Sequence, residues 1–225
     1  PASRVTPYTT CAPYADRKAL QHFAQQVDYI TLEFENVPCE TVAFLSTLRP
    51  VYPGVQALEI SQDRGLEKAF CTQQGIAVAP YQAVSSLEEL ATAVSAIGTP
   101  CVLKTRRLGY DGKGQFVIRD PEQISQAWQT LANNACVVEA FLNSFEEFSI
   151  LVARSTTGDY RLYPASYNEH QNHILYRTQV PAQIPQKIQD KACVLATTLA
   201  QELQYVGILA VEFFWTHTGD LFVNE

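Results

Sequence analysis

The sequence predicts an α/β arrangement in its first part and an α+β arrangement later. Three observations carry this. Helix-like and strand-like stretches alternate as far as Gly54. Between Cys101 and Tyr163 several strand-like runs follow one another with few helices between them. A long amphipathic stretch then leads into a strand–turn–strand pattern that ends at Glu225. One-for-one alternation indicates a layered α/β unit, whereas segregated strands and helices indicate α+β.

Pro1 to Asp16 has no clear period. Arg17 to Gln26 is helix-like, with Leu20, Phe23 and Ala24 on one face. Val27 to Phe34 alternates: Ile30, Leu32 and Phe34 against Thr31 and Glu33, the pattern of a half-buried strand. Pro38 to Leu48 reads as a helix with proline in its first turn. Pro50 to Gly54 breaks the pattern, and a small N-terminal α/β domain is expected to end there, at residue 54, with a second domain over 55–225.

Ser61 to Gln74 has helical period, and Gly75 supplies its stop. Arg64 and Lys68, four apart, share a face of that helix, which spacing alone reads as solvated. Ile76 to Val84 is extended. Ser86-Leu87-Glu88-Glu89 is a capping box that opens an amphipathic helix to about Ile97. Cys101 to Leu103 and Gln115 to Ile118 are strands, and Asp120-Pro121-Glu122-Gln123 starts another helix. Ala135 to Glu139, Phe148 to Arg154 and Arg161 to Tyr163 are strands, and Tyr167 to Ile174 is a polar loop holding His170 and His173. Ile188, Ala192, Leu195, Leu199 and Leu203 step by threes and fours, giving a firm helix. Val206 to Phe214 and Leu221 to Asn224 form the closing hairpin.

Composition excludes several classes. With 47% hydrophobic and 17% charged residues, the 225-residue chain can bury a sizeable core as one large domain or two small ones. A net charge of −7 argues against bulk nucleic-acid binding, which needs a basic face. It leaves a nucleotide open, because the charge around Lys104 is locally positive. No apolar run reaches the length of a membrane span, and no secretory leader is visible. The 6 cysteines form no CxxC pair and several sit in apolar runs, so buried thiols in a reducing cytoplasm are expected rather than zinc. Methionine is absent, and Glu225 directly follows a strand-like run, so a piece cut at both ends is expected.

The stretch KTRRLGYDGKGQ, Lys104 to Gln115, concentrates the chemistry. Gly109, Gly112 and Gly114 let the backbone turn and approach a ligand without a Cβ in the way. Lys104, Arg106, Arg107 and Lys113 surround those turns with cations. Exposed N–H groups with Lys and Arg suit a polyphosphate. A glycine hairpin with a solvated basic rim is the plain alternative. The closing hairpin offers acids. If its loop is Thr216 to Gly219, Glu212 lies opposite Val223, and Glu212 and Glu225 become diagonal neighbours about 7–8 Å apart at Cβ. Such carboxylates, with Asn224 beside them, can share a hard divalent ion with phosphate oxygens. The alternative is a strand end fraying into water. Glu139, followed by Ala140, Phe141 and Leu142, could hold a ribose hydroxyl and an adenine ring, or be an ordinary strand edge.

These stretches together resemble the ATP-grasp superfamily, and within it the N5-carboxyaminoimidazole ribonucleotide synthases. The matching segments are TLEFENVP (Thr31 to Pro38), QDRGLEK (Gln62 to Lys68), LKTRRLGYDGKGQ (Leu103 to Gln115), VVEAF (Val137 to Phe141), EEFSILVAR (Glu146 to Arg154), NEHQNHIL (Asn168 to Leu175), YVGILAVEFF (Tyr205 to Phe214) and VNE (Val223 to Glu225). The resemblance implies an ATP-grasp fold behind a truncated nucleotide-fold-like preATP domain. It also implies ATP and Mg2+ as cofactors, with aminoimidazole ribonucleotide and bicarbonate as substrates. Arg64 and Lys104 would contact the nucleotide or its phosphates, and Gly109, Tyr110, Asp111, Gly112, Lys113, Gly114 and Gln115 would close over them. Glu139, Ala140, Phe141 and Leu142 would form the adenine linker, Glu147 would bind ribose, and His170 would sit by the nucleotide. Glu212 and Glu225 would hold magnesium with help from Asn224. Tyr110 and Asp111 would reach the ribonucleotide, with Asp111 orienting or deprotonating its amine. The family's N-terminal glycine-rich loop and its basic segment beyond the last glutamate are not in this sequence, so weak or no turnover by the isolated chain is expected. A homodimer, a cytoplasmic setting and no nucleic-acid or membrane partner complete the expectation. Another ATP-grasp ligase, or a nucleotide-binding module without turnover, are the alternatives.

Overall fold

The structure is a computed structural model that describes residues 4–109, 114–171 and 174–225. Its first layer holds α1 (Arg17–Gln25), β1 (Ile30–Thr31), α2 (Cys39–Ser46), β2 (Val51–Tyr52) and α3 (Val55–Ser61). Asp16 caps α1 by accepting from the Lys18 and Ala19 N–H groups, both at 3.0 Å. β1 and β2 pair in parallel, Ile30 beside Val51, over a small core with Ala24, Val42, Leu45 and Leu58. The strand expected from Val27 to Phe34 shrinks to Ile30–Thr31, paired among the described residues with the two residues of β2 alone. Phe34 is consequently exposed. Pro38 takes the N-cap of α2 instead of its first turn. The stretch read as a break after Pro50 contains β2 and leads into α3.

The helix expected from Ser61 divides. α4 (Arg64–Gln73) starts afresh at Asp63, whose carboxylate accepts from Gly65 N–H at 3.0 Å and Leu66 N–H at 3.3 Å. Gly75, at φ +69°, ends it as expected.

Four antiparallel strands form the middle sheet: β3 (Tyr81–Val84), β4 (Cys101–Thr105), β5 (Gln115–Ile118) and β6 (Cys136–Ala140), in the order β3-β6-β4-β5. Two helices, α5 (Leu87–Ile97) and α6 (Ile124–Thr130), cover one face and bury Leu90, Val94, Leu103, Ile118 and Val138. Both expected caps form. Ser86 Oγ accepts from Glu89 N–H at 3.1 Å, and Asp120 and Gln123 close a capping box over a short 3-10 turn ahead of α6.

The largest sheet contains β7 (Phe145–Arg154), β8 (Tyr160–Leu162), β9 (Ser166–Gln171), β10 (Ile174–Gln179), β11 (Gly207–Thr216) and β12 (Leu221–Val223). Its order is β10-β9-β7-β11-β12, with β8 also on β7. β7 and β11 pair along their whole length. Phe148, Ile150, Val152 and Phe213 point to α7 (Gln186–Glu202), which answers with Ala192, Ala196, Leu199 and Ala200. The Phe148 and Phe213 rings stack with centroids 5.4 Å apart. The polar loop expected around His170 is instead strand on both sides of residues 172–173. Its polar residues can be inside because they find partners: buried Asn168 donates to Ser149 Oγ and accepts from Thr178 Oγ1, each at 3.2 Å. The segment before β3 ties the two sheets together, since Ala77 accepts from Val223 N–H at 2.9 Å and Pro80 from Ala140 N–H at 2.8 Å. Among the described residues no helix is long and apolar enough to cross a membrane.

Candidate functional site

Strand alternation decides what the two sheets show each other. On β4, Cys101 and Leu103 enter the helix-covered core, while Val102 and Lys104 face the other way. On β6 the same alternation buries Val138 and turns Glu139 outward; on β7 it buries Phe148 and frees Glu147. The outward faces bound one cleft of about 1140 Å³. It gathers Arg64, Lys104, Gly109, Gly114, Gln115, Glu139, Ala140, Phe141, Leu142, Glu147, His170, Glu212, Asn224 and Glu225. Tyr110, Asp111, Gly112 and Lys113 lie outside the described residues.

One wall is cationic. Lys104 Nζ donates to Glu139 Oε2 at 3.0 Å, and Lys68 Nζ lies 3.3 Å from Oε1 of the same carboxylate. Burial pushes the Glu139 carboxyl up, but Lys104 and then Lys68 outweigh it, and the group is held below the usual carboxylate range. Its side chain is thus held between two lysines. Lys68 is 1% exposed, so the helix face it shares with Arg64 is not a solvated one. Two of the four cations around the glycine turns have a different use from the one expected. Asp63 accepts from Arg106 Nε at 2.8 Å and from Arg107 Nε at 3.2 Å, which lashes the strand end to the start of α4. Gly65 makes room for this: a Cβ there would stand 2.9 Å from Arg106 Nε.

The facing wall is acidic, and its geometry differs from the predicted register. Val223 pairs with Phe213, not Glu212. The loop extends one residue further, through Asp220, because Thr216 N–H bonds Asp220 O at 2.9 Å and Asp220 N–H bonds Thr216 Oγ1 at 3.1 Å. The carboxylates still meet, through a bulge. Asn224 N–H donates to Glu212 O, and Glu212 N–H donates to Glu225 O, both at 2.8 Å, so two residues oppose one. Burial, then Glu225, then Glu147 push the Glu212 carboxyl up to about 7. Burial raises the Glu147 carboxyl as well. His170 Nδ1 sits 3.2 Å from Glu147 Oε2, so it belongs to the cleft and not to an open surface. Arg64 Nη1 bridges the walls, 2.7 Å from Glu225 Oε2.

The acidic wall offers hard oxygen donors. Asn224 Oδ1 is buried with no hydrogen-bond partner, next to two carboxylates that repel one another. A divalent cation would satisfy the first and relieve the second. Among the described residues no group of three or more His, Cys, Asp or Glu side chains gathers as a metal cluster, so an ion here would need further oxygens from a ligand. Residue-type reasoning missed Lys68, Asp63 and Glu67 as members of this site. Glu67 lines the cleft beside Arg64, and burial followed by Glu225 pushes its carboxyl up to about 8. The signal available was three charged side chains packed into one helical turn, Arg64, Glu67 and Lys68.

The ATP-grasp domain model matches residues 69–225, and the ribonucleotide synthetase preATP-grasp domain model matches residues 1–62. The N5-carboxyaminoimidazole ribonucleotide synthase of Bacillus subtilis is 41% identical over 225 residues, covering 100% of this chain and 59% of its own length. The enzyme of the same name from Pseudomonas aeruginosa is 41% identical over 95% of this chain and 59% of its own. Thus the chain spans about three-fifths of the length of these relatives. Among solved structures, an ADP complex of an N5-carboxyaminoimidazole ribonucleotide synthetase superposes with a TM-score of 0.90 at 38% identity, over 95% of this chain and 57% of that one. The Thermus thermophilus synthetase gives 0.89 at 35% identity, over 96% and 58%.

Proposed function

The chain belongs to the ATP-grasp family, and from that membership we propose that it serves the ATP- and bicarbonate-dependent carboxylation of 5-aminoimidazole ribonucleotide. The observation that carries the reading is the cleft itself, with Arg64 and Lys104 on one wall and Glu147, Glu212, Asn224 and Glu225 on the other. Cations that contact polyphosphate oxygens, opposed by acids that can share a metal with them, form a phosphoryl-transfer site. The names of the relatives point to the substrate.

In this reading a bicarbonate oxygen attacks the γ-phosphorus of ATP, ADP leaves, and carboxyphosphate forms. The exocyclic amine then attacks the carboxyl carbon, phosphate leaves, and the nitrogen loses a proton to Asp111, with Tyr110 beside it. Lys104 and Arg64 offset the negative charge on the transferring group. The stretch with Gly109, Gly112, Lys113, Gly114 and Gln115 has the role of shielding carboxyphosphate from water. Ala140, Phe141 and Leu142 frame the adenine through backbone and apolar contacts, while Glu147 and His170 border the ribose. Glu212 and Glu225, with Asn224 Oδ1, would hold Mg2+, which would supply charge to neutralise phosphate oxygens. A division into domains near residue 54, a homodimer and a cytoplasmic setting belong to the same reading.

The test has two parts. This chain should bind Mg-ATP by calorimetry. A protein extended to the length of the relatives should release phosphate from Mg-ATP and bicarbonate much faster when aminoimidazole ribonucleotide is added. ATP binding with no stimulation would keep the ATP-grasp assignment and remove this substrate in favour of another amine.

A further inference from the structure

The buried ion pairs of Glu139 are asymmetric. Its carboxylate is 4% exposed and meets two ammonium groups on opposite oxygens. The Lys68 side chain is 2% exposed and takes no part in the cleft wall; that of Lys104 is 15% exposed and lies on it. Lys104 makes a formed hydrogen bond at 3.0 Å, whereas Lys68, at 3.3 Å, leaves Glu139 Oε1 without an aligned one. The carboxylate thus has one partner with access to a ligand and one without.

A buried carboxylate cannot lose its only counter-ion without a large penalty. If Lys104 were alone with Glu139, moving it to a phosphate would strand an anion in a dry site. With Lys68 present, Oε1 already faces a second cation that can complete its hydrogen bond as Lys104 withdraws. We propose that Lys68 is a positioning residue whose buried ammonium keeps Glu139 neutralised, so that Lys104 is free to transfer from Glu139 to the phosphates of a nucleotide in the cleft. Lys68 touches neither nucleotide nor metal in this arrangement. It acts on affinity through the carboxylate alone. The inference rests on the cleft being a nucleotide site.

That mechanism makes a double-mutant prediction which lost packing does not. Calorimetric affinity for Mg-ATP is compared in the unsubstituted chain, Lys68→Met, Glu139→Gln and the double variant, each first shown to be folded by its melting transition. Lys68→Met should weaken binding roughly tenfold, because Lys104 is then the one cation left in contact with Glu139, with Arg64 acting only from further off. Glu139→Gln should bind at least as tightly as the unsubstituted chain, since Lys104 has no anion to leave. The double variant should match Glu139→Gln, because Lys68 then has no Glu139 charge to neutralise, and Glu67, its other acidic neighbour, keeps Arg64. Unchanged affinity in folded Lys68→Met overturns the proposal. So does loss of binding in Glu139→Gln, which would make the carboxylate part of the ligand's own site. If Lys68→Met does not fold, the comparison of the double variant with Glu139→Gln still decides: a roughly tenfold deficit there means that Lys68 acts on the ligand directly. No Mg-ATP binding by the unsubstituted chain would instead sink the nucleotide-site reading, and this inference with it.

Discussion

Asp63 shows how much one side chain can carry. A single carboxylate oxygen caps α4 and accepts from Arg106, while the other oxygen takes Arg107. Burial alone would raise its pKa, but the Arg106 hydrogen bond, the cap and the arginine charges hold it below the usual range. Asp63→Asn keeps a capping oxygen and loses the charge; Asp63→Ala loses both. We expect Ala to cost about 3 kcal/mol and Asn about half of that, read from denaturant midpoints at constant slope. Equal losses in the two variants would mean that the arginine pairing, and not the cap, is the whole effect. This is also where the sequence misleads at the level of residues. Lys104 to Lys113 reads as four cations for one anion, yet the two arginines are bound to Asp63. Lys68 reads as solvated, yet it is buried against Glu139. Neither partner is near in sequence, and helical spacing contains no information about a strand that arrives from elsewhere.

At the scale of elements, punctuation was the most legible feature. Gly75, the Ser86 cap and the Asp120 box fall where turn chemistry put them, because those signals act within a few residues. The failures needed knowledge of a partner. β1 is paired among the described residues with the two residues of β2 alone, and the hairpin of β9 and β10 hides in polar sequence because Ser149 and Thr178 satisfy Asn168. The turn entering β5 shows a local signal with a tertiary reason. Gly114 sits at φ +76°, and a Cβ there would meet Thr105 Oγ1 at 2.5 Å. Gly114→Ala should therefore lose about 1–2 kcal/mol from the left-handed backbone alone. It should also weaken Mg-ATP binding, since Thr105 directly follows Lys104. A melting temperature equal to that of the unsubstituted chain would show that the turn can relax into another geometry.

For the whole molecule, the sheet-rich second half was legible in the sequence, as were many of the described residues of the cleft, but not its charge balance. That balance appears only when α4, β6, β7, β11 and the last residues converge. Glu67, Glu139, Glu147, Glu212 and Glu225 are then among the carboxylates that line one cleft. Their sum has a consequence for stability. Glu67 is pushed up to about 8 and Glu212 to about 7, from an ordinary value of 4.5. Between the ordinary and the raised values the folded chain binds more protons than the unfolded chain, so stability falls as pH rises. The stabilising contribution is whole below about 4.5, declines through neutrality and is gone above about 8. Asp63 and Glu139 are lowered and act oppositely, but only in acid, below their ordinary range. Melting temperatures of the metal-free, nucleotide-free chain should accordingly drop from pH 5.5 to pH 8.5, a window set by these raised values. Glu67→Gln should flatten the upper part of that drop, because the amide cannot ionise. A profile with the same slope in Glu67→Gln would mean that Glu67 is already ionised in the folded cleft, and that Arg64 and Lys68 neutralise it as fully as they do its neighbours.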